Sequence, residues 1–482
     1  MSQPRASGFR IAPGGRRLWG GLAAALAAAL FAVACQQPQP QQPAKPAVPA
    51  QGAPQPAADK PAALPAQKPA QPAKPAAGAT AVKIGVLHPL TGGLAFEGKQ
   101  VHNGVMMRLE EANAAGGIKS MGGAKLDIAQ ADTQGKPEVG VAETERMVRD
   151  GAVAIMGAFQ SAVTFPITQA AERQKVPVVV SVAASDEITR RGFKYVFRQQ
   201  PNTDIYAKQG MAALKELIQR RNAKLSSFVI IHEDSLFGTT QAGLMERYGK
   251  ELGFRQLDKI AYKATTSDLT TEVSRIKSLR PDILLVSGYY ADTVLMMRTV
   301  RDLRADVPAI IGMANAAMSN PKFAQEEPKL AEHMIDVNYW WDPKSERARK
   351  VRDAYKQKRN EEMTNHAVQG YQSADVLIDA LERAGKPDRE AVREALTKTK
   401  LGNLIVPGET IEFDERGENK NAQPLLLQFQ KGVPRAISPA KGTSRSTERG
   451  RGRPREAAFG TVGGARTAPR RVGCYTGCYR AS

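Results

Sequence analysis

Val82-Lys83-Ile84-Gly85-Val86-Leu87 is a mostly apolar run at positions 82–87, bounded by Pro89 and Gly92-Gly93. A short apolar run that ends at turn residues is typical of a buried strand. The next residues, 98–115, carry apolar side chains at helical spacing, and Gly116-Gly117 ends the predicted helix. The body of the chain therefore opens with a strand followed by a helix.

The same alternation continues along the body of the chain. The first block adds strands at 125–131, 152–156 and 176–181 and helices at 137–150 and 165–174. The second block has strands at 227–232, 257–262, 282–287 and 308–312 and helices at 238–252, 268–279 and 292–304. Helices at 345–359 and 366–384 and closing strands at 409–414 and 424–430 complete the pattern. Such alternation predicts an α/β fold with two doubly wound parallel-sheet lobes.

The formal net charge of +20 lies mostly on the two flanks of the chain. Residues 1–81 carry +7 and residues 441–482 carry +8, which leaves +5 for residues 82–440. A nearly balanced body lacks the basic footprint of a nucleic-acid-binding domain. We therefore expect no nucleic-acid partner.

The N-terminus has the features of an export signal. Arg10, Arg16 and Arg17 precede an apolar run at 18–34, and small residues lead up to Cys35. Ala32-Val33-Ala34-Cys35 resembles the lipobox of bacterial lipoproteins, which implies lipidation of Cys35 and a signal peptide at 1–35. An ordinary signal peptide or an uncleaved anchor are the alternatives.

Two segments flank the predicted lobes. Residues 36–81 are almost entirely Gln, Pro, Ala and Lys, and such a composition predicts a disordered, extended linker. At about 3.1 Å per residue it reaches on the order of 100 Å above a membrane. Residues 438–482 are rich in Arg and Gly and predict a disordered basic tail, either a lipid-contacting arm or a gene-model error.

The loops that follow the predicted strands carry different chemistry in the two blocks. In the first block, 157–161 and 182–185 end in Ser161 and Ser185. In the second block, 233–238 and 288–292 supply aromatic and acidic side chains. Open α/β sheets bind ligands beyond the carboxyl ends of their strands. Hydroxyls opposite an acid and aromatic rings indicate a cleft for a zwitterion.

At these loops the sequence resembles the branched-chain amino-acid-binding proteins of ABC transporters, which have the type I periplasmic-binding fold. The resemblance covers about residues 82–437. Its motifs are Pro89-Leu90-Thr91-Gly92, residues 113–118, residues 157–166, Phe237-Gly238, Gly288-Tyr289-Tyr290 and residues 413–417. It implies a first lobe at 82–202 and 316–407, a second lobe at 203–315 and 408–437, and a hinge between them.

The resemblance also implies the ligand contacts. Ser161 and Ser185 match the residues that bind the ligand carboxylate, and Asp292 matches the acid that pairs with the ammonium group. Phe96 and Phe237 match aromatic contacts that are often tyrosine in the family. The predicted ligand set also includes three residues of the same loops, Gln160, Ala183 and Tyr289. The simpler alternatives are helix caps for the serines and the aspartate, and loop anchors for the phenylalanines.

The sequence lacks complete catalytic and metal-binding motifs. Residues 93–99 have P-loop spacing, but Gln100 stands where Ser or Thr must hold Mg²⁺. The five histidines lack metal-ligand spacing, and no nucleophile is paired with a base. We therefore predict binding without catalysis, with no cofactor and no metal.

The predicted protein is an exported, lipid-anchored component that delivers an apolar amino acid to an ABC permease. A binder of an aromatic or short carboxylic acid or an amide, and a ligand-sensing lipoprotein, remain as alternatives.

Overall fold

The structure, a computed structural model, describes residues 81–439. In this range the chain forms two lobes, each built on one sheet flanked by helices. The predicted signal peptide, the lipidation site Cys35, and nearly all of the predicted linker and tail lie outside the described residues.

The first lobe contains a five-stranded parallel sheet in the order β2-β1-β3-β4-β5. Its strands are β1 Val82–His88, β2 Leu126–Asp132, β3 Ala154–Gly157, β4 Val178–Val180 and β5 Val196–Arg198. Its helices are α1 Ala95–Ala114, α2 Pro137–Arg149, α3 Ser161–Arg173, α10 Glu346–Arg359, α11 Asn365–Ala384 and α12 Arg389–Thr397.

The second lobe contains a seven-stranded sheet in the order β12-β11-β10-β9-β8-β6-β7. Strands β6 to β10 are parallel, and β11 and β12 join antiparallel at one edge. The strands are β6 Ser227–Glu233, β7 Arg255–Tyr262, β8 Ile283–Ser287, β9 Ala309–Met313, β10 Ile335–Asn338, β11 Leu425–Gln430 and β12 Val433–Pro439. The helices are α4 Thr203–Arg220, α5 Leu236–Glu251, α6 Thr270–Leu279, α7 Tyr290–Asp302, α8 Pro321–Glu326 and α9 Pro328–Ala331. Within residues 81–439, the helices are too short or too polar to cross a membrane.

The apolar run at β1 reflects burial on both faces of the sheet. Ile84 and Val86 pack into the core beneath α1 and α11, whereas Leu87 packs with Met147 in the core on the other face. Gly85 leaves room for its neighbours on the second face, because an added Cβ would lie 2.5 Å from Ile155 Cδ1 and the Ile155 side chain would have to move. A strand covered on both faces loses the polar alternation of a half-exposed strand and reads as continuously apolar.

The predicted α/β fold with two parallel-sheet lobes is confirmed, with differences in single elements. β5, α4, β10, α8, α9, α12 and β12 are additional to the predicted elements. The strand predicted at 409–414 is wrong, since only isolated bridges occur there, at Ile411 and Phe413. The return to the first lobe, predicted at residue 316, comes after Asn338, because β10 pairs with β9 and β11. β12 extends to Pro439, into the predicted tail.

Two connections between the lobes lie side by side at the end of β5. The Arg198 amide donates to Gly417 O at 2.8 Å, and the Asn419 amide donates to Arg198 O at 3.0 Å. The Arg198 guanidinium also forms an ion pair with Glu418, and both side chains are buried. This backbone and side-chain pairing ties the two hinge segments together.

Candidate ligand-binding site

Two adjoining cavities lie where the carboxyl ends of the strands of both lobes meet. The first, which we call the neutral cavity, has about 430 Å³ of space not filled by atoms and no acidic or basic residue apart from a histidine. Its lining comes from both lobes: Phe159, Ser161, Val182, Ala184, Asn365, His366 and Gln369 from the first, and Tyr206, Phe237, Gly288, Tyr289, Ala314, Ala316 and Asn338 from the second.

The second cavity, which we call the acidic cavity, is lined by three carboxylates and by residues of both lobes. Glu233, Asp234 and Asp292 supply the negative charge, and the exposed Lys263 lies at the same cavity. Tyr289 lines both cavities, so the two spaces adjoin at its ring. The cleft therefore offers a neutral region next to a negatively charged one.

Ser161 and Ser185, the two predicted carboxylate contacts, lie next to each other in the first lobe. The Ser185 amide donates to Ser161 Oγ at 3.1 Å, and both residues are buried. Ser161 is the first residue of α3, so its hydroxyl lies beside amide groups that have no partner within the helix. Ser185 also serves as a cap, since its Oγ accepts from the Glu187 amide. Both the capping and the anion-binding reading of Ser185 are compatible with this geometry.

Asp292 lies in the first turn of α7 and is 2 % exposed. Its Oδ2 accepts from the Tyr262 hydroxyl at 3.1 Å, and its Oδ1 accepts from the Thr293 amide at 2.7 Å. Burial raises the pKa of Asp292 to about 7, and the charge of Glu233 acts in the same direction. Asp292 lines the acidic cavity and Ser161 the neutral cavity, so one cavity does not hold both predicted contacts.

Glu233, at the end of β6, is a second buried carboxylate at the acidic cavity. It accepts from the Ser235 amide at 2.7 Å, from the Ser235 hydroxyl at 2.8 Å and from the Gly238 amide at 2.6 Å. These bonds place it at the start of α5, while burial raises its pKa. Within residues 81–439, neither Glu233 nor Asp292 forms an ion pair with Lys, Arg or His.

The predicted aromatic contacts divide between two places. Phe237 and Tyr289 line the neutral cavity, and their ring centroids are 6.1 Å apart. Phe96 lies outside the lining of both cavities and packs on Tyr290 with ring centroids 4.7 Å apart. The Lys322 ammonium lies 4.2 Å from the centroid of the Phe96 ring. Phe96 therefore contributes to contact between the lobes.

Gln160 and Ala183 flank the two serines but have different surroundings. Gln160 lines the acidic cavity, and its Oε1 has no hydrogen-bond partner among the described residues. Ala183 is buried outside the cavity lining, and its carbonyl accepts from Arg198 Nη1 at 3.0 Å. Arg198 Nη1 also donates to Ser185 O at 2.8 Å. Ala183 is thus part of the support of the Ser185 loop.

Direct contacts between the lobes place the structure in a closed arrangement. Ser185 Oγ lies 3.1 Å from Thr240 Oγ1 on α5. On another part of the cleft, the Tyr290 amide donates to Glu97 Oε1 at 2.8 Å, and Glu97 is 1 % exposed. These bonds form only when the two lobes approach each other.

Several residues that line the cavities were not predicted from the sequence. Asn365 and His366 begin α11, and Tyr206 lies on α4, so none follows a strand. Glu233 is the last residue of β6. Its position at the carboxyl end of a strand is the signal that could have identified it. The start of α11 had no comparable signal in the sequence. Asn365 and His366 reach the cleft because they follow a connection between the lobes rather than a strand.

Among residues 81–439, no group of three or more His, Cys, Asp or Glu side chains has the arrangement needed to hold a metal ion.

Two lobes on parallel sheets, hinged at paired connections and closed over cavities at the strand ends, define a solute-binding protein of the two-lobed class. A family model described as periplasmic binding protein matches residues 81–429. The chain belongs to the periplasmic binding protein family, whose members are non-catalytic and lie outside the cytoplasm.

Individual relatives agree with this assignment. Leu/Ile/Val-binding protein homolog 7 of Brucella suis is 28% identical over 368 residues, covering 73% of this chain and 90% of the relative.

Two solved structures are similar in fold. A leucine-binding protein from Thermotoga maritima has a TM-score of 0.65 at 24% identity, covering 74% of this chain and 98% of that one. A solute-binding protein from R. palustris in complex with benzoate has a TM-score of 0.64 at 17% identity, covering 75% and 96%.

Proposed function

We propose that this protein is the extracytoplasmic solute-binding component of an ABC importer and that its ligand is an amino acid. The ligand lies between the lobes, spans the two cavities past Tyr289, and stabilises the closed arrangement. Relatives named for leucine, isoleucine and valine support this ligand class.

The observation that carries the proposal is the pair of buried carboxylates, Asp292 and Glu233. Burying a carboxylate without a cation is unfavourable, because the charge loses its hydration. A ligand ammonium group would supply the missing cation and lower the pKa of Asp292 again. Glu233 is held by the start of α5, so its charge adds to the negative potential from a fixed position.

The other end of the ligand is assigned to Ser161 and the Ser185 loop. The start of α3 offers amide groups and a hydroxyl to a carboxylate, and the helix dipole favours negative charge there. Arg198 binds the carbonyls of Ala183 and Ser185 and thereby holds this loop in position.

A second candidate ligand is an aromatic carboxylic acid. Four aromatic rings, those of Phe159, Tyr206, Phe237 and Tyr289, line the neutral cavity together with Ser161. The R. palustris neighbour was solved with benzoate. An Asp292 that holds a proton near neutral pH would repel such an acid less than an ionised carboxylate.

Calorimetry with the twenty amino acids and a set of benzoates tests the proposal, using wild type, Asp292→Asn and Asp302→Asn. Asp302 lies at the exposed end of the same helix and is the matched control. We expect Asp292→Asn to weaken amino-acid binding by at least tenfold, consistent with a charged hydrogen bond of about 1.5–3 kcal/mol. Unchanged affinity in Asp292→Asn would refute the ammonium role.

Export and anchoring form the other part of the proposal. The N-terminal signal, lipidation of Cys35 and the Pro-rich linker would tether the lobes at a membrane near the permease. Metabolic labelling with a fatty acid should mark the wild-type protein and not Cys35→Ser. Labelling of Cys35→Ser at the wild-type level would contradict this assignment.

A further inference from the structure

The start of α11 forms one wall of the neutral cavity. Asn365 and His366 both line this cavity and are 1 % and 4 % exposed. Asn365 is the first residue of α11, directly after Thr364, whose side chain caps the helix. The cap and the helix hold both side chains at fixed positions facing the neighbouring lobe.

Each of these side chains has a buried polar atom without a partner. Asn365 Oδ1 and His366 Nδ1 have no hydrogen bond to any other group within residues 81–439. Asn338, which lines the same cavity, differs: its Nδ2 donates to Asn315 O at 2.9 Å and to Asp336 Oδ2 at 2.8 Å. Among the residues that line the neutral cavity, such atoms therefore occur only at Asn365 and His366.

Asn365 Oδ1 accepts hydrogen bonds, and His366 Nδ1 accepts them in one of the two tautomers of the neutral ring. The Asn365 amide oxygen is an acceptor, and the His366 ring is neutral because burial lowers its pKa to about 3. In the Nε2–H tautomer, Nδ1 of a neutral imidazole is an acceptor. The His366 ring packs edge-on against the Phe159 ring, with ring centroids 5.0 Å apart.

We propose that the α11 wall, Asn365 and His366, is a specificity subsite for a hydrogen-bond donor on the ligand, an amide N–H or a hydroxyl. This inference rests on the proposed function, since it assigns the part of the ligand that enters the neutral cavity. It favours ligands with a polar side-chain group over aliphatic branched-chain ligands, because an aliphatic group would leave both acceptors buried and unpaired.

Near-isosteric ligand pairs test the subsite in the wild-type protein. Threonine and valine have almost the same shape, as do asparagine and leucine. We expect the polar member of at least one pair to bind at least tenfold more tightly in calorimetry, because only it can pair the buried acceptors. Tighter binding of the apolar member of both pairs overturns the inference.

Variants of the α11 wall test whether Asn365 and His366 cause the preference for the polar ligand. Asn365→Leu should reduce or reverse the preference for the polar member of each pair. His366→Phe should have the same effect, so the test remains possible if one of the two variants fails to fold. Gln357→Leu on the exposed face of α10 makes the same kind of change away from the cleft and should keep the wild-type preference. A preference that survives both cavity variants overturns the inference.

These experiments distinguish a failure of the proposed subsite from a failure of the amino-acid proposal. If no amino acid binds, the amino-acid proposal fails, and benzoate compared with 3- and 4-hydroxybenzoate decides the subsite by the same criterion. If the hydroxybenzoates gain no advantage over benzoate, or if neither series binds, the inference fails as well.

Discussion

The hydroxyl oxygens of Ser185 and Thr240 lie 3.1 Å apart across the cleft, one from each lobe. Thr240 donates its proton to Leu236 O at 2.6 Å, so Ser185 is the donor in the contact between the lobes. The loop assigned to the ligand carboxylate is therefore also bonded to the opposite lobe. If Ser185 binds the ligand carboxylate as proposed, ligand binding and closure of the cleft are coupled at this residue.

Removing the Thr240 hydroxyl should weaken closure without touching the ligand. In Thr240→Val we expect a three- to tenfold loss of ligand affinity, because a neutral hydrogen bond contributes about 0.5–1.5 kcal/mol. Calorimetry gives the affinity, and small-angle scattering of the ligand-bound protein reports closure. Thr239→Val, at the neighbouring and exposed position on α5, is the control. An affinity equal to that of the control would show that the contact contributes nothing to closure.

Phe96 should influence dissociation through its packing on Tyr290. Phe96→Ala removes an aromatic contact between the lobes, and such pairs contribute about 0.5–1.5 kcal/mol beyond their buried area. We expect the ligand to dissociate about three- to tenfold faster in stopped-flow fluorescence, with the same ranking of ligands as wild type. A changed ranking would instead mean that Phe96 contacts the ligand directly.

The two hinge connections should depend on the buried ion pair between Arg198 and Glu418. Arg198→Met leaves the Glu418 carboxylate buried without its cation, which typically costs about 3–5 kcal/mol of unfolding free energy. The double variant Arg198→Met/Glu418→Leu removes both charges and should regain much of that stability. Urea denaturation gives the unfolding free energies of wild type, Arg198→Met and the double variant. A double variant no more stable than Arg198→Met would show that the unpaired Glu418 charge is not the cause of the loss.

Asp292 should make the free protein less stable at high pH. Its pKa of about 7 in the folded state exceeds the ordinary value of 3.8, so the protonated form is favoured by folding. The resulting stability is fully present below about pH 4 and is lost as the pH rises through 7. Asp292→Asn, which stays neutral, should therefore be more stable than wild type at pH 8 by up to ~4 kcal/mol.

Thermal denaturation of the ligand-free proteins at pH 4.5 and pH 8 measures this difference. The gain of Asp292→Asn over wild type should be small at the lower pH and large at the higher pH. A gain of the same size at both values would mean that Asp292 does not titrate between them.

The sequence predicted most of the fold because its long elements carry strong local patterns. β1 and β6 are covered on both faces and read as apolar runs. β5 has only three residues, Val196–Arg198, which is too short for any periodicity to stand out. α4 does carry buried residues at helical spacing, from Tyr206 to Ile218, and the Asn202 cap was a usable signal.

The candidate site was less accessible, because its parts meet only through the closure of two lobes. Ser161 and Asp292 follow strands, so the rule for open sheets placed both of them at the cleft, where each lines a cavity. That rule does not say which cavity each side chain faces, and it does not reach α11. The role of Phe96 depends on Tyr290, which lies on the other lobe and far along the chain.

We propose that the cleft binds its ligand through an ammonium group at Asp292. The most direct measurement is calorimetry at pH 8 of the best-binding amino acid and of its deaminated analogue, which keeps the carboxylate and the side chain. We expect the amino acid to bind at least tenfold more tightly than the analogue, and Asp292→Asn to remove most of the difference. An analogue that binds as tightly as the amino acid would show that Asp292 does not bind a ligand ammonium group.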